Sequence, residues 1–324
     1  MVTVILLFAL GLLLLIKGGD WFVDGATGIA HRFHLPELLI GATVVSIGTT
    51  LPEVMVSATS ALEGVGGIAY GNAIGSVICN TSLIAALTIA IMPAAINRKS
   101  LVLPAGFFFA AALFYALNAY IPGRFDRWAG IVLLCMFVVY ILLTVRQMKA
   151  HPELAEEDGE DDAPEKERTF PQQILLLIIG AGAIAFGADL LVDNGTKIAA
   201  ALGVPDSVIG LTMVALGTSL PELVTAITSL AKGHGALSLG NVIGANLFNL
   251  VLVTGTAATL APFAIPAEKL IAGVNASLLI DIPVMLGVML LLCIPALRTG
   301  KLRRWQGILL LALYAAFTIF QFVS

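Results

Sequence analysis

Apolar residues run along this chain in stretches of about twenty, broken by short polar turns, and that spacing predicts helices that cross a lipid bilayer. Ten spans are expected, at about 3–26, 35–61, 68–94, 100–119, 127–147, 171–195, 204–231, 236–261, 269–295 and 303–323. The connections are short except for residues 148–170, which are polar, acidic and carry Pro152 and Pro164. That stretch reads as a solvated, flexible linker. It lacks the spaced acids and glycine of a calcium-binding EF-hand loop. The first span has no basic segment ahead of its apolar run and no small-residue cleavage site, so it reads as a crossing rather than a removed signal. The expected fold is an all-α polytopic membrane protein.

Composition narrows the class. Of 324 residues, 59% are apolar and only 12% are charged, and the mean hydropathy is +0.99. Soluble domains carry about a quarter charged residues, and one core of this size could not hide so much apolar surface from water. A water-soluble enzyme, a nucleic-acid binder and a disordered chain are excluded. Cys79, Cys135 and Cys293 are scattered through apolar runs and read as buried small hydrophobes. The net charge of −4 averages two unlike parts: residues 153–168 sum to −7, and the rest of the chain to +3. Loop Lys and Arg residues set orientation. With the N-terminus outside, twelve fall on the cytoplasmic side and four on the outer side. Both termini are therefore expected outside and the acidic linker in the cytoplasm.

The chain is also written twice. Segment IGATVVSIGTTLPEVMVSATSALEG (40–64) aligns without a gap on IGLTMVALGTSLPELVTAITSLAKG (209–233), an offset of 169 residues. The same offset carries GNAIGSVICN (71–80) onto GNVIGANLFN (240–249) and GGDWFVDGATGIA (18–30) onto GADLLVDNGTKIA (187–199). Across residues 18–84 there are 27 identities in 67 positions. Each half holds five spans, and because five is odd the second half enters the membrane from the opposite side. The expected organisation is two inverted-topology five-helix repeats, residues 1–147 and 171–324, joined by the acidic linker 148–170, as in many secondary transporters.

The most repeated words, GTTLPE (48–53) and GTSLPE (217–222), each put a glutamate deep in an apolar span. A carboxylate there is costly unless compensated and marks a functional site. A proline precedes each glutamate, removing a backbone donor and crowding the turn before it. Carbonyls near Thr49 and Thr218 are thereby expected to lose their helical partners and become available to a ligand, which is tolerated only along a polar cavity. In the next span Asn72, Ser76 and Asn80 share one helix face. Asn241, Ala245 and Asn249 repeat it, and Gly71, Gly75, Gly240 and Gly244 are expected to let these helices approach closely. All the donor atoms are oxygens, which select hard cations and argue against zinc or copper. Two carboxylates neutralise one calcium ion or hold several sodium ions in its place, and magnesium fits less well. Asp20, Asp24, Asp189 and Asp193 read as solvated helix-end acids, with ion entrance as a second role. His31, His34 and His234 read as solvated loop residues, and Asp281 has no counterpart in the first half.

These motifs resemble the two α-repeats of the cation/calcium exchanger superfamily, and most closely its prokaryotic sodium/calcium exchangers. The resemblance covers nearly the whole chain. It implies Glu53 and Glu222 as central ion ligands, with Thr49, Thr50, Thr218 and Ser219 from the preceding turns and Ser76, Asn80 and Asn249 from the third and eighth spans. Ala245 stands where serine is common, and Asn249 where some members carry aspartate, which argues against potassium dependence. The implied activity is electrogenic exchange of sodium for calcium by alternating access, with the first and sixth spans as the moving gate, in a prokaryotic inner membrane. Calcium and sodium are the transported ligands and no cofactor is implied. Three alternatives remain open: a calcium/proton antiporter on the same carboxylates, a channel, and a membrane scaffold binding calcium through its acidic loop. Nothing in the sequence gathers a nucleophile, a base and an orienting group, so no enzyme is expected.

Overall fold

The lipid-facing surface of this chain is apolar and its interior carries the polar groups, the reverse of a soluble domain. Leu13, Met55, Leu113, Leu142 and Ile178 are largely exposed, whereas Thr49, Thr50, Glu53, Asn80, Glu222, Asn241 and Asn249 are buried. The structure is a computed structural model describing residues 1–93, 95–150, 168–202, 217–267, 270–271 and 273–323.

Ten helical segments are described. They are α1 (Val2–Arg32), α2 (Glu37–Leu62), α3 (Gly66–Ile91), α4 (Arg98–Tyr120), α5 (Arg127–Ala150), α6 (Phe170–Ala201), α7 (Leu220–Ala231), α8 (Gly235–Leu260), α9 (Ser277–Thr299) and α10 (Arg304–Val323). Among the described residues, eight are long and apolar enough to cross a membrane: α1 to α6, α8 and α9. The seventh expected span falls partly on residues 203–216, which lie outside the described residues, as does most of the acidic linker. The only strands described are two-residue pairs in connections. Arg124–Phe125 pairs with Phe263–Ala264 and ties the α4–α5 loop to the segment after α8, and Leu270–Ile271 pairs with Val274–Asn275.

Two structural groups follow from where the glycines lie. The long helices α1 and α6 pack antiparallel along a seam of small residues. A Cβ on Gly11 would sit 2.9 Å from the Gly187 carbonyl oxygen, and one on Gly18 3.0 Å from that of Gly180. Small side chains are what permit such approach without hydrophobic pressure between helices. The second group is the core, built around α2, α3, α7 and α8. Here α8 crosses α2 backbone to backbone: a Cβ on Gly240 would lie 2.1 Å from the Leu38 carbonyl oxygen, and one on Gly244 2.6 Å from Ala42 Cα. These two glycines make the close approach expected of them. Gly71 and Gly75 have no neighbour at the Cβ position among the described residues. The segment that the 169-residue offset would set against them, 207–215, lies outside those residues.

The core helices contain π turns, at Gly41–Val45 in α2, Asn80–Ala85 in α3 and Asn249–Val253 in α8. A π turn widens the helix by one residue and disturbs the i→i−4 ladder, a feature frequent at functional sites. Hydroxyls cover part of the loss: Ser46 donates to the Gly41 carbonyl at 2.7 Å and Thr254 to the Asn249 carbonyl at 3.1 Å, each five residues back. The ends of α2 and α7 close alike. Gly64 (φ 81°) and Gly233 (φ 89°) both occupy the left-handed region, which glycine enters without a Cβ penalty.

Candidate functional site

The repeated glutamates sit where the core helices converge. Glu53 lies on α2 one turn after Thr49 and Thr50, and Glu222 is in the first turn of α7, just after Thr218 and Ser219. Both glutamates are fully buried. Among the described residues none of the four carboxylate oxygens has a partner in hydrogen-bonding geometry. The two carboxylates are close enough to feel each other's charge. The Thr49 hydroxyl stands beside Glu222 but makes its hydrogen bond to Asn241 Oδ1, at 3.2 Å. Two carboxyl groups buried together in a lipid-embedded core form an incomplete arrangement, because as anions each would cost several kcal/mol without a compensating partner.

The interruption expected at both proline motifs takes different forms. On α2 the helix runs through Pro52, a few residues beyond the π turn at Gly41–Val45. At the second motif Thr218 and Ser219 form a turn, and Pro221 falls in the first turn of α7, where no intrahelical donor is needed. The sequence reading placed a break before each glutamate; the first is corrected, because residues 37–62 stay helical through Pro52.

Neutral donors line the same region. Asn80 opens the π turn of α3, and among the described residues both its buried amide atoms are without partners. Asn249 opens the π turn of α8; its amide nitrogen donates to the Ala245 carbonyl at 3.0 Å, leaving Oδ1 free. The Thr50 hydroxyl is also buried and unpartnered. Ser76 sits on the Asn80 face of α3, its hydroxyl 3.5 Å from Asn72 Oδ1, while Asn72 donates to the Glu53 carbonyl oxygen and to Ser57 Oγ. Among the described residues no group of three or more His, Cys, Asp or Glu side chains is placed to hold a metal ion. The donor set is therefore two carboxylates plus neutral oxygens, suited to hard cations.

Several polar groups take part in contacts that the sequence pattern alone does not show. Asn241 accepts from Thr49 and takes the Ser46 hydroxyl on its backbone carbonyl at 2.9 Å, so it joins α8 to the Glu222 side of the site. Thr225 and Ser229 follow Glu222 on one helix face, fully buried and with unpartnered hydroxyls. Their i+3 and i+7 spacing from Glu222 was the available signal. Cys79 is buried beside the Ser219 hydroxyl, with the Tyr314 hydroxyl 3.9 Å from its sulfur, so it borders the site despite facing away from the Asn80 stripe. Asp281 is held by Ser277 and by Gln321, each at 2.9 Å. His234 is not a free loop residue: its Nδ1 lies 2.7 Å from the buried Glu37.

A lipid-facing shell of helices around buried, unpartnered oxygen donors is the build of a membrane transporter of cations. The family described as sodium/calcium exchanger protein matches residues 3–146 and 172–323. The chain is 39% identical over 311 residues to membrane protein MJ0091 of Methanocaldococcus jannaschii, covering 95% of this chain and 94% of that one. It is 31% identical to the sodium/calcium exchanger MaX1 of Methanosarcina acetivorans, covering 99% of each. A structure of the sodium-calcium exchanger NCX_Mj, soaked with 2.5 mM Na+ and 10 mM Sr2+, superposes with a TM-score of 0.79 at 34% identity, covering 97% of each chain. The chain belongs to the sodium/calcium exchanger family. The resemblance read from the doubled motif is borne out.

Proposed function

We propose that this protein exchanges sodium for calcium across the membrane by alternating access, with both ions competing for one site around Glu53 and Glu222. The observation that carries the site is the four carboxylate oxygens, fully buried and, among the described residues, without a partner in hydrogen-bonding geometry. One calcium ion, or several sodium ions, would cancel their charge. Thr49, Thr50, Ser76, Asn80, Thr218, Ser219 and Asn249 supply the neutral oxygens. The occupied site can pass through a low-dielectric, occluded state, whereas the empty site would meet the full desolvation cost with both carboxylates charged. That asymmetry couples one ion's movement to the other's.

The ten helical segments act as two inverted five-helix repeats, 1–147 and 171–324, with both termini outside and the linker 148–170 in the cytoplasm. Support comes from the 27 repeated positions, from the π turns opening at Asn80 and Asn249, and from the matched glycine turns at Gly64 and Gly233. The α1/α6 pair is the moving gate. Its glycine seam and its sparse attachment to the core suit a unit that shifts as one body.

The test is calcium uptake into sodium-loaded proteoliposomes. Uptake should require the outward sodium gradient and fall at least about 100-fold in Glu53→Gln and in Glu222→Gln, since breaking a buried charge arrangement costs about 3–5 kcal/mol and each 1.4 kcal/mol is about tenfold. Wild-type rates in either variant would overturn the site, and sodium-independent uptake driven by a pH gradient would favour proton coupling.

A further inference from the structure

Among the described residues, charge fastens the α1/α6 pair to the core at one end only. Lys232 follows α7 immediately before the Gly233 turn into α8, and its ammonium reaches back to α1. It hydrogen-bonds the Asp24 carboxylate, lies 3.6 Å from Asp20 Oδ1 and donates to the Asp20 carbonyl oxygen at 3.1 Å. Arg168, at the approach to α6, closes the cluster with Nη1 2.9 Å from Asp24 Oδ2. The Lys232 and Asp24 side chains are both 27% exposed, so the pair is less screened than a surface bridge. At the same end α1 presses on α7: a Cβ on Gly19 would sit 2.7 Å from Thr228 Oγ1.

The opposite end carries the same acids without the base. The 169-residue offset takes Asp20 and Asp24 to Asp189 and Asp193, but it pairs Lys232 with Glu63. Asp189 and Asp193 are exposed, and among the described residues no ion pair joins them. They line a cavity of about 830 Å³ that also reaches Gly48, Thr218 and Pro221 of the glutamate motifs. Because α1 and α6 are antiparallel, with Gly11 against Gly187 and Gly25 against Leu177, the two acid pairs sit at opposite ends of the helix pair.

We propose that Lys232, clamped between Asp20 and Asp24, is a one-sided latch that holds the α1/α6 pair against the α7–α8 corner and sets which side of the exchanger stays closed at rest. This rests on the alternating-access reading above. A shift of α1/α6 that opens the Lys232 end must part the ammonium from both carboxylates. A movement opening the other end breaks no such contact, since among the described residues no ion pair joins Asp189 or Asp193. Lys232 is a positioning residue: it touches no ion in transit and acts through the position of α1. Its effect is on the populations of the two access states, and ions bind with an apparent affinity scaled by the fraction of the competent state.

The test is the calcium KM measured from each face, in membrane vesicles of both orientations, for wild type, Lys232→Gln, Lys232→Arg and Glu63→Lys. Weakening the latch enlarges the population open at the Lys232 end. In Lys232→Gln the ratio of KM at that face to KM at the opposite face should fall by about 5-fold or more, the lower range of coupling between sites. Lys232→Arg should restore the wild-type ratio. Glu63→Lys, which puts a base at the position answering to Lys232 in the repeat, should move the ratio the other way. An unchanged ratio in both Lys232→Gln and Glu63→Lys would overturn the latch, as would a loss of maximal rate with equal KM changes at both faces. Wild-type uptake in the same vesicles checks antiport separately: absent sodium-driven flux counts against the exchanger reading, and normal flux with unmoved ratios counts against the latch alone.

Discussion

Asn80 and Asn249 are held differently in the same region. The Asn80 amide has no partner on either atom, whereas the Asn249 amide is oriented by its bond to the Ala245 carbonyl. Asn249 Oδ1 is therefore fixed in place, while Asn80 is free to turn its oxygen toward an ion. Asn249→Ala and Asn80→Ala should each weaken calcium binding by roughly tenfold, the worth of a hydrogen-bond-strength contact to a charge, as read by equilibrium calcium binding. Thr81→Ala, two turns from Thr88 and committed to the Val77 carbonyl and Asn246, should leave calcium affinity within about twofold while lowering thermal stability, because it leaves the buried Asn246 amide short of a partner. At this scale the doubled motif made Glu53, Glu222, Asn80 and Asn249 legible. The roles of Ser46 and Asn241 were not, because their bond spans 195 positions and exists only once α2 and α8 touch.

That contact between α2 and α8 belongs to the element scale. It depends on Gly240 and Gly244, where any side chain meets backbone at 2.1 Å and 2.6 Å. Gly244→Val should destabilise the protein by about 1–3 kcal/mol through overpacking, measured as a lowered unfolding midpoint in detergent, and should also weaken calcium binding by moving Ser46 and Asn241. Helix positions were readable from apolar run length alone, and α3, α5 and α6 appear close to where the runs placed them. The π turns were not readable. They shift the helix face by a fraction of a turn, and no residue pattern distinguishes Asn249–Val253 from ordinary helix until Thr254 is seen reaching the Asn249 carbonyl. Pro52 misled for a related reason: an interior proline predicts a break, yet α2 stays helical through it.

At the scale of the whole molecule the doubled sequence is near-symmetric in the proposed site and asymmetric in its fastening. Glutamates, asparagines and closing glycines recur at 169 residues, while Lys232 answers to Glu63 and Asn246 to Val77. The latch was visible in sequence as one charge reversal, but the partners of Lys232 lie 212 and 208 positions away and needed the fold to be found. Reading Asp20 and Asp24 as solvated missed them for that reason, and they are ion-paired at the α7–α8 corner instead. The acidic linker is expected to be dispensable for exchange. Deleting residues 153–167 should leave sodium-driven calcium uptake within about twofold, since long surface connections tolerate change; a larger loss would give the linker a role in transport.

The central claim is that sodium and calcium occupy one site and exclude each other through the same two carboxylates. Equilibrium binding of radiolabelled calcium to the purified protein, titrated with sodium at constant ionic strength, tests it most directly. Sodium should displace all specifically bound calcium, with a displacement curve steeper than one-to-one competition, and Glu53→Gln and Glu222→Gln should each bind little calcium at any sodium concentration. Calcium that stays bound at saturating sodium, or that binds normally to either variant, would contradict the account.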